Sequence, residues 1–196
     1  MSRVVGIVGS YRKNGIATAA VEAILAGAEE NGATTQLFSL AACNLSFCNN
    51  CRNCAQHPGQ ERGRCGQLDD LEGILREIEA ADSVVIGSPV NYGGVTAVFR
   101  IFMERLTGFY YWPWGQPMPK LRQPPSRKAV LVATSGTPGF FIPLFTDVPK
   151  TLRLTAKMLG AKSVSTLWLG RYGWRKDCRL LETDLERARN VGRNIA

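Results

Sequence analysis

Four thiols crowd one short stretch of this sequence: Cys48, Cys51 and Cys54, with two residues between successive members, and Cys65 after a longer gap. Thiolates this close can ligate one centre from a single segment. Three chemistries fit the pattern: a four-thiolate iron–sulfur cluster, a tetrahedral structural zinc, or redox-labile thiols with no metal. A disulfide framework would need an oxidising compartment. The N-terminus does not point to one. Met1, Ser2 and Arg3 precede a short apolar run at 4–8 that reads as a buried strand rather than a signal peptide. Cys43 and Cys178 stand apart and read as buried or inert. His57 is the only histidine; it lies inside the cysteine segment and reads as a solvated loop residue.

Three further segments have the composition of ligand-binding loops. The first runs Gly9-Ser10-Tyr11-Arg12-Lys13-Asn14-Gly15 and leads into Ile16, Ala17 and Thr18. It joins an apolar run to a helical one, and free N–H groups at a helix N-terminus bind phosphate. Ser10, Asn14 and Thr18 add donors, and Arg12 and Lys13 add charge. The loop is not a Walker A loop, because Ile16 stands where Lys is required, and G-x-G-x-x-G is absent. The second segment is Gly87-Ser88-Pro89-Val90-Asn91-Tyr92-Gly93-Gly94. Its Pro and paired Gly shape a backbone cradle for the polar edge of a planar ring, with Tyr92 as an aromatic face and Gly93 and Gly94 permitting close approach. The third, around Ser135 and Gly136, is a small donor-rich turn.

These segments need a frame, and the periodicity supplies one. Apolar, β-branched runs at 4–8, 34–40, 83–87, 129–134 and 163–169 read as strands. Helical spacing appears at 17–31, from Asp69 and Asp70 to about 81, at 96–107, 146–159 and 180–195. Asp69 and Asp70 suit a helix N-terminus, facing the positive end of its dipole. Alternating strands and helices imply a parallel sheet covered on both faces. In such open sheets ligands sit at the carboxyl ends of the strands, where the three loops fall. Two stretches interrupt the alternation: the cysteine-rich insertion at about 43–66 and an aromatic, Pro-rich loop at about 108–126 holding Phe109, Tyr110, Tyr111, Trp112 and Trp114. The second is expected to form a lid or a subunit contact, with local core as the other reading.

The loops carry a family resemblance. Gly9-Ser10-x-Arg12-Lys13 is similar to the phosphate loop of the flavodoxin-like superfamily, in particular the NADPH-dependent FMN reductase and iron–sulfur flavoprotein families. Gly87-Ser88-Pro89-Val90-x-Tyr92-Gly93-Gly94 resembles their flavin-ring loop and is the more specific match. Two positions depart from the pattern. Ile16 and Ala17 stand where relatives usually carry Asn and then Thr or Ser, and Asn91 stands where an aromatic residue is common. The resemblance implies one domain over 1–196 with a three-layer α/β flavodoxin-like fold and a five-stranded parallel sheet in order 2-1-3-4-5. It implies FMN, with its phosphate at Ser10, Arg12, Lys13, Asn14, Ile16, Ala17 and Thr18. Its ring would lie against Pro89, Val90, Asn91, Tyr92, Gly93 and Gly94, with Ser135 and Gly136 at the other edge. A [4Fe–4S] cluster on Cys48, Cys51, Cys54 and Cys65 would match the compact cysteine motif of the iron–sulfur flavoproteins.

The implied activity is FMN-dependent oxidoreduction, with NAD(P)H as donor and a quinone, metal ion, oxygen or another small molecule as acceptor. An electron carrier fed by ferredoxin through the cluster is the alternative, and a non-catalytic module on the same fold is the second alternative. Relatives commonly form homodimers or homotetramers. The net charge of +8 is spread along the 196-residue chain, with small groups at 122–128 and 171–179, and no nucleic-acid motif accompanies it. No segment approaches the roughly 18 apolar residues a membrane span needs. A cytoplasmic protein with no nucleic-acid or membrane partner is the expectation.

Overall fold

The computed structural model describes residues 1–174 and 178–196. The basic group at 171–179 therefore falls partly outside the described residues. Along the chain come β1 (Arg3–Val8), α1 (Ile16–Glu30), β2 (Thr34–Ser39), α2 (Leu71–Glu79), β3 (Ser83–Pro89), α3 (Ala97–Glu104), β4 (Tyr110–Tyr111), β5 (Lys120–Leu121), β6 (Arg127–Thr134), α4 (Ile142–Phe145), α5 (Val148–Met158), β7 (Ala161–Leu169) and α6 (Glu182–Ile195). Five strands form one parallel sheet in order β2-β1-β3-β6-β7, which is the expected 2-1-3-4-5 once the small β4–β5 hairpin is set aside.

Central position explains strand composition. β1, β3 and β6 are buried on both faces over most of their length and are apolar through their centres. β2 and β7, at the edges, alternate between exposed and covered positions. One core layer, beneath α2, α3 and α5, gathers Ile7, Leu75, Ile86, Phe99, Phe102, Leu131 and Leu152. The opposite layer, beneath α1 and α6, gathers Val4, Val21, Ile24, Val85, Val132 and Leu167. Helices α1 and α6 cross closely through small residues on both. A Cβ on Gly27 would stand 2.1 Å from the Arg189 carbonyl oxygen, and one on Gly192 1.9 Å from that of Ile24.

Register brings the loop exits together. Val8 pairs with Gly87, and Pro89 pairs with Thr134, so the chain leaves β1, β3 and β6 side by side at one edge. Cross-bonds then tie the exits: Gly9 N–H donates to Gly87 O at 2.9 Å, Val90 N–H to Thr134 O at 2.8 Å, and buried Thr96 Oγ1 to Gly9 O at 2.6 Å.

Two expectations need correction. Asp69 and Asp70 do not form a simple cap on α2. Asp70 occupies the cap position without a capping side-chain bond and accepts instead from Asn44 N at 2.7 Å. Asp69 accepts from Leu71 N at 3.2 Å, but also from Ser46 N at 2.9 Å, so the pair fastens the entry of the cysteine segment. Second, the helix expected over 96–107 ends at Glu104 and tightens into a 3₁₀ turn over Arg105–Phe109. Among the described residues, no helix is long and apolar enough to cross a membrane.

Candidate functional site

At the edge where β1, β3 and β6 end lies a cleft of about 410 Å³. Loop one contributes Ser10, Arg12, Ile16 and Ala17, loop two Pro89, Val90 and Asn91, and loop three Ser135 and Gly136. Nine of the residues expected from sequence thus converge on one space. A wider groove of about 660 Å³ runs between α5 and β7 past Arg153, Lys157 and Lys162, but no strand-end loop enters it and it offers no redox group.

Loop one is shaped by its own side chains. Ser10 is buried; its Oγ accepts from Arg12 N at 3.2 Å and donates to Arg12 O at 3.1 Å. Buried Thr18 donates to the same carbonyl at 3.3 Å, so it braces the loop from beneath instead of lining the cleft. Gly15 caps α1 with no side-chain bond, and no acidic residue occupies the first turn. The opening amides of α1, at Ile16, Ala17 and Thr18, are consequently left to an external acceptor. Lys13 and Asn14 are exposed and lie outside the cleft lining.

Loop two closes on itself. Asn91 N–H donates to Gly94 O at 2.8 Å and Gly94 N–H to Asn91 O at 2.9 Å. The turn needs left-handed backbone at Tyr92 (φ 48°) and Gly93 (φ 79°). That conformation throws the Tyr92 ring outward, where it is fully exposed and outside the cleft lining. Gly93 and Gly94 also stand outside the lining, and Gly93 O accepts from Asp147 N at 2.8 Å. The amides of Tyr92 and Gly93 carry no partner among the described residues.

The far wall was missed by sequence reasoning. Tyr172 and Gly173, just past β7, line the cleft with Tyr11, Gly15 and Thr134. Buried Tyr172 donates its hydroxyl to Asp184 at 2.5 Å and accepts from Leu181 N at 3.1 Å. Burial and then the Asp184 carboxylate push its pKa up to about 12. The Trp174 indole N–H donates to Gly136 O, tying this segment to loop three. The rule that ligands gather beyond strand ends, extended to the last strand, would have found these residues.

The cysteine segment is built differently. Cys54 sits within electrostatic reach of Cys65, Cys48 and Cys51; burial first, and then these three neighbours, raise its pKa. The thiols surround Cys54 without closing into a ligand cage: among the described residues, no three His, Cys, Asp or Glu side chains meet in metal-ligating geometry. Donors face the sulfurs, with Asn50 N–H 3.4 Å from Cys48 Sγ and Arg105 Nη2 3.5 Å from Cys65 Sγ. The buried Nε atoms of Arg52 and Arg105 have no partner among the described residues. Four thiols, two of them facing N–H donors, suit a thiolate-bound centre that carries negative charge. His57 is exposed, and Cys43, which donates to Ser39 O at 3.3 Å, stands apart.

The aromatic stretch packs against this segment. The Arg52 guanidinium is sandwiched between Trp112 and Trp114, 3.6 and 4.6 Å from their ring centroids. Trp112 N–H donates to Ala55 O at 2.8 Å, Trp114 N–H to Gln56 Oε1 at 3.1 Å, and Arg122 Nη2 to Cys54 O at 3.3 Å. Arg62, with its side chain almost fully covered, binds Glu72 and Glu79 of α2 at 3.0 and 2.9 Å. Where the stretches cross, Gly63 N–H donates to Gly108 O at 2.9 Å, and a Cβ on Gly63 would lie 1.7 Å from Cys54 O.

Comparison with known proteins fits this architecture. The chain is 38% identical over 103 residues to an iron–sulfur flavoprotein of Methanocaldococcus jannaschii, an overlap of 53% of this chain and 51% of the relative. The chain spans about half the length of the curated relatives it matches. Among solved structures, an NAD(P)H:quinone oxidoreductase from Methanothermobacter marburgensis superposes with a TM-score of 0.69 at 22% identity, covering 99% of this chain and 96% of that one. An FMN-dependent NADH-azoreductase from Bacillus anthracis, solved with FMN, gives a TM-score of 0.70 at 12% identity with complete coverage of both chains. Likeness at such identity speaks for the fold. The model of the NADPH-dependent FMN reductase family matches residues 2–140, from β1 through all three loops, and the chain belongs to that family.

Proposed function

We propose that the protein is an FMN-dependent oxidoreductase that holds the flavin in the strand-end cleft and an iron–sulfur cluster on Cys48, Cys51, Cys54 and Cys65. The observation that carries this reading is the convergence of three loops on one cleft at the uncapped N-terminus of α1. FMN, when bound, supplies hydride and single-electron chemistry, and the protein supplies binding, orientation and electrostatics.

Each residue then has a task. The amides of Ile16, Ala17 and Thr18 meet the phosphate, with Ser10 holding the loop and Arg12 adding positive charge. Lys13 and Asn14, on the exposed rim, contribute charge and polarity from outside the lining. Pro89, Val90 and Asn91 border one edge of the ring, and the free amides of Tyr92 and Gly93 offer hydrogen bonds there. Ser135 and Gly136 border the other edge. Tyr172 stays protonated throughout the physiological range and walls the cleft as a neutral group. Within the insertion, the four thiols hold the cluster, which would pass electrons singly to a flavin able to take two.

NAD(P)H is the donor this reading takes, by membership of the NADPH-dependent FMN reductase family, with a quinone, metal ion, oxygen or another small molecule as acceptor. The curated relatives are named iron–sulfur flavoproteins; a second reading builds on a cluster of that kind and has reduced ferredoxin feed it directly. Anaerobic turnover separates the two. Oxidation of NADPH coupled to quinone reduction supports the first reading. Reduction of the flavin by reduced ferredoxin, with no response to NADPH, supports the second. Failure to bind added FMN excludes both.

A further inference from the structure

Cys65 poses a problem that spacing alone does not solve. It follows Cys54 across a stretch containing Pro58, Gly59 and Gly63, with no helix or strand to carry it back to the other thiols. A side chain from another element reaches it there. Arg105 follows α3 at the first position of the 3₁₀ turn, with 1% of its side chain exposed. Its Nη1 donates to Ser46 O at 2.7 Å and to Asp69 Oδ2 at 2.7 Å. Its Nη2 donates to Asp69 Oδ1 at 3.2 Å and to Cys65 Sγ at 3.5 Å. One guanidinium thus grips the start of the cysteine segment, its end and the last thiol. Asp69, with its side chain equally buried, holds the fork in orientation and also takes the Ser46 and Leu71 amides.

We infer that Arg105 is a positioning residue for the cysteine centre: it sets Cys65 as the fourth ligand across the long gap and places an N–H···S bond on that sulfur. The inference rests on the cluster reading above. Lys could not reproduce it, because a point ammonium lacks the planar fork that serves Ser46, Asp69 and Cys65 together. A donor on a ligand sulfur stabilises the more negative, reduced state of a cluster and so raises its potential. A staple that merely held the fold would leave that potential unchanged.

The test compares wild type, Arg105→Lys and the double variant Arg105→Met/Asp69→Asn, which removes both charges together and avoids a lone buried carboxylate. Each is reconstituted anaerobically with ferrous iron and sulfide. FMN content and circular dichroism report on the fold, since the flavin cleft contains neither residue. Wild type is expected to carry about four iron per chain. The double variant keeps FMN, loses most of its iron, and shows a lower midpoint potential in the cluster that remains. Arg105→Lys retains more iron, at a potential between the two. Folded, FMN-loaded variants with wild-type iron content and potential would overturn the inference while leaving the cluster reading intact. A wild type that takes up no iron overturns the cluster reading, and the inference with it.

Discussion

The strand-end cleft and the cysteine insertion are held together by opposite means. The strand-end cleft is a product of the sheet. Its loops leave adjacent, largely buried strands in fixed register, and backbone bonds such as Gly9 N to Gly87 O and Val90 N to Thr134 O complete it. The cysteine insertion has almost no regular structure. It depends on four arginines, Arg52, Arg62, Arg105 and Arg122, each reaching a partner far away in sequence. A backbone-built site tolerates side-chain change wherever the chain path is kept. A site built by side chains has few supports, and each matters.

Changes that separate the regions test this contrast. The largest effect is expected at the crossing of the two insertions. Gly63→Ala would drive a Cβ into the Cys54 carbonyl and should cost about 3 kcal/mol, the upper end of overpacking penalties. Iron uptake should fail while FMN binding, measured by fluorescence quenching, persists. Loss of FMN binding as well would show that the cleft leans on the insertion. Arg52→Ala removes a guanidinium held between two indoles and should cost about 1–2 kcal/mol, read as a lower unfolding midpoint and faster amide exchange over 48–56.

On the cleft side, Ser10→Ala removes two bonds to Arg12 and should weaken FMN binding by about 1 kcal/mol, roughly fivefold in Kd, with iron content unchanged. The smallest effect belongs to Tyr172→Phe, about 0.5–1 kcal/mol at neutral pH. It has a pH signature. The folded state keeps the Tyr172 proton up to about 12, against about 10 for an exposed tyrosine. The contribution is therefore complete below pH 10 and disappears as pH rises from about 10 through 12. Denaturation midpoints of wild type and Tyr172→Phe should differ by a constant amount below that window, and wild type should lose stability relative to the variant across it.

Sequence reasoning reached the cleft further than the insertion for the same physical reason. Buried parallel strands must be apolar and β-branched, so β1, β3 and β6 announce themselves locally, and the loops between them follow. The cysteines were equally visible. Their supports were not, because Arg105 to Asp69 or Arg52 to Trp112 leaves no local pattern to read. Asp69 and Asp70 stand at the α2 N-terminus, where Asp69 accepts from Leu71 N, but tertiary partners at Asn44, Ser46 and Arg105 share their oxygens. The aromatic loop reads as a lid or a subunit contact by composition; the structure shows indoles of this loop against Arg52 and its backbone bonded to Ala55 and Gln56. Tyr92 was placed in the site by its type, and a left-handed turn points it away.

The most direct test is an absorption spectrum of protein purified without oxygen, with iron, sulfide and FMN assayed on the same sample. The account predicts flavin bands over a broad shoulder near 400 nm, with about four iron and four sulfide per chain, as a four-thiolate cubane requires. Flavin without iron would contradict the assignment of Cys48, Cys51, Cys54 and Cys65 and leave the cleft reading standing. Absence of flavin, even after FMN is added, would contradict the account at its centre.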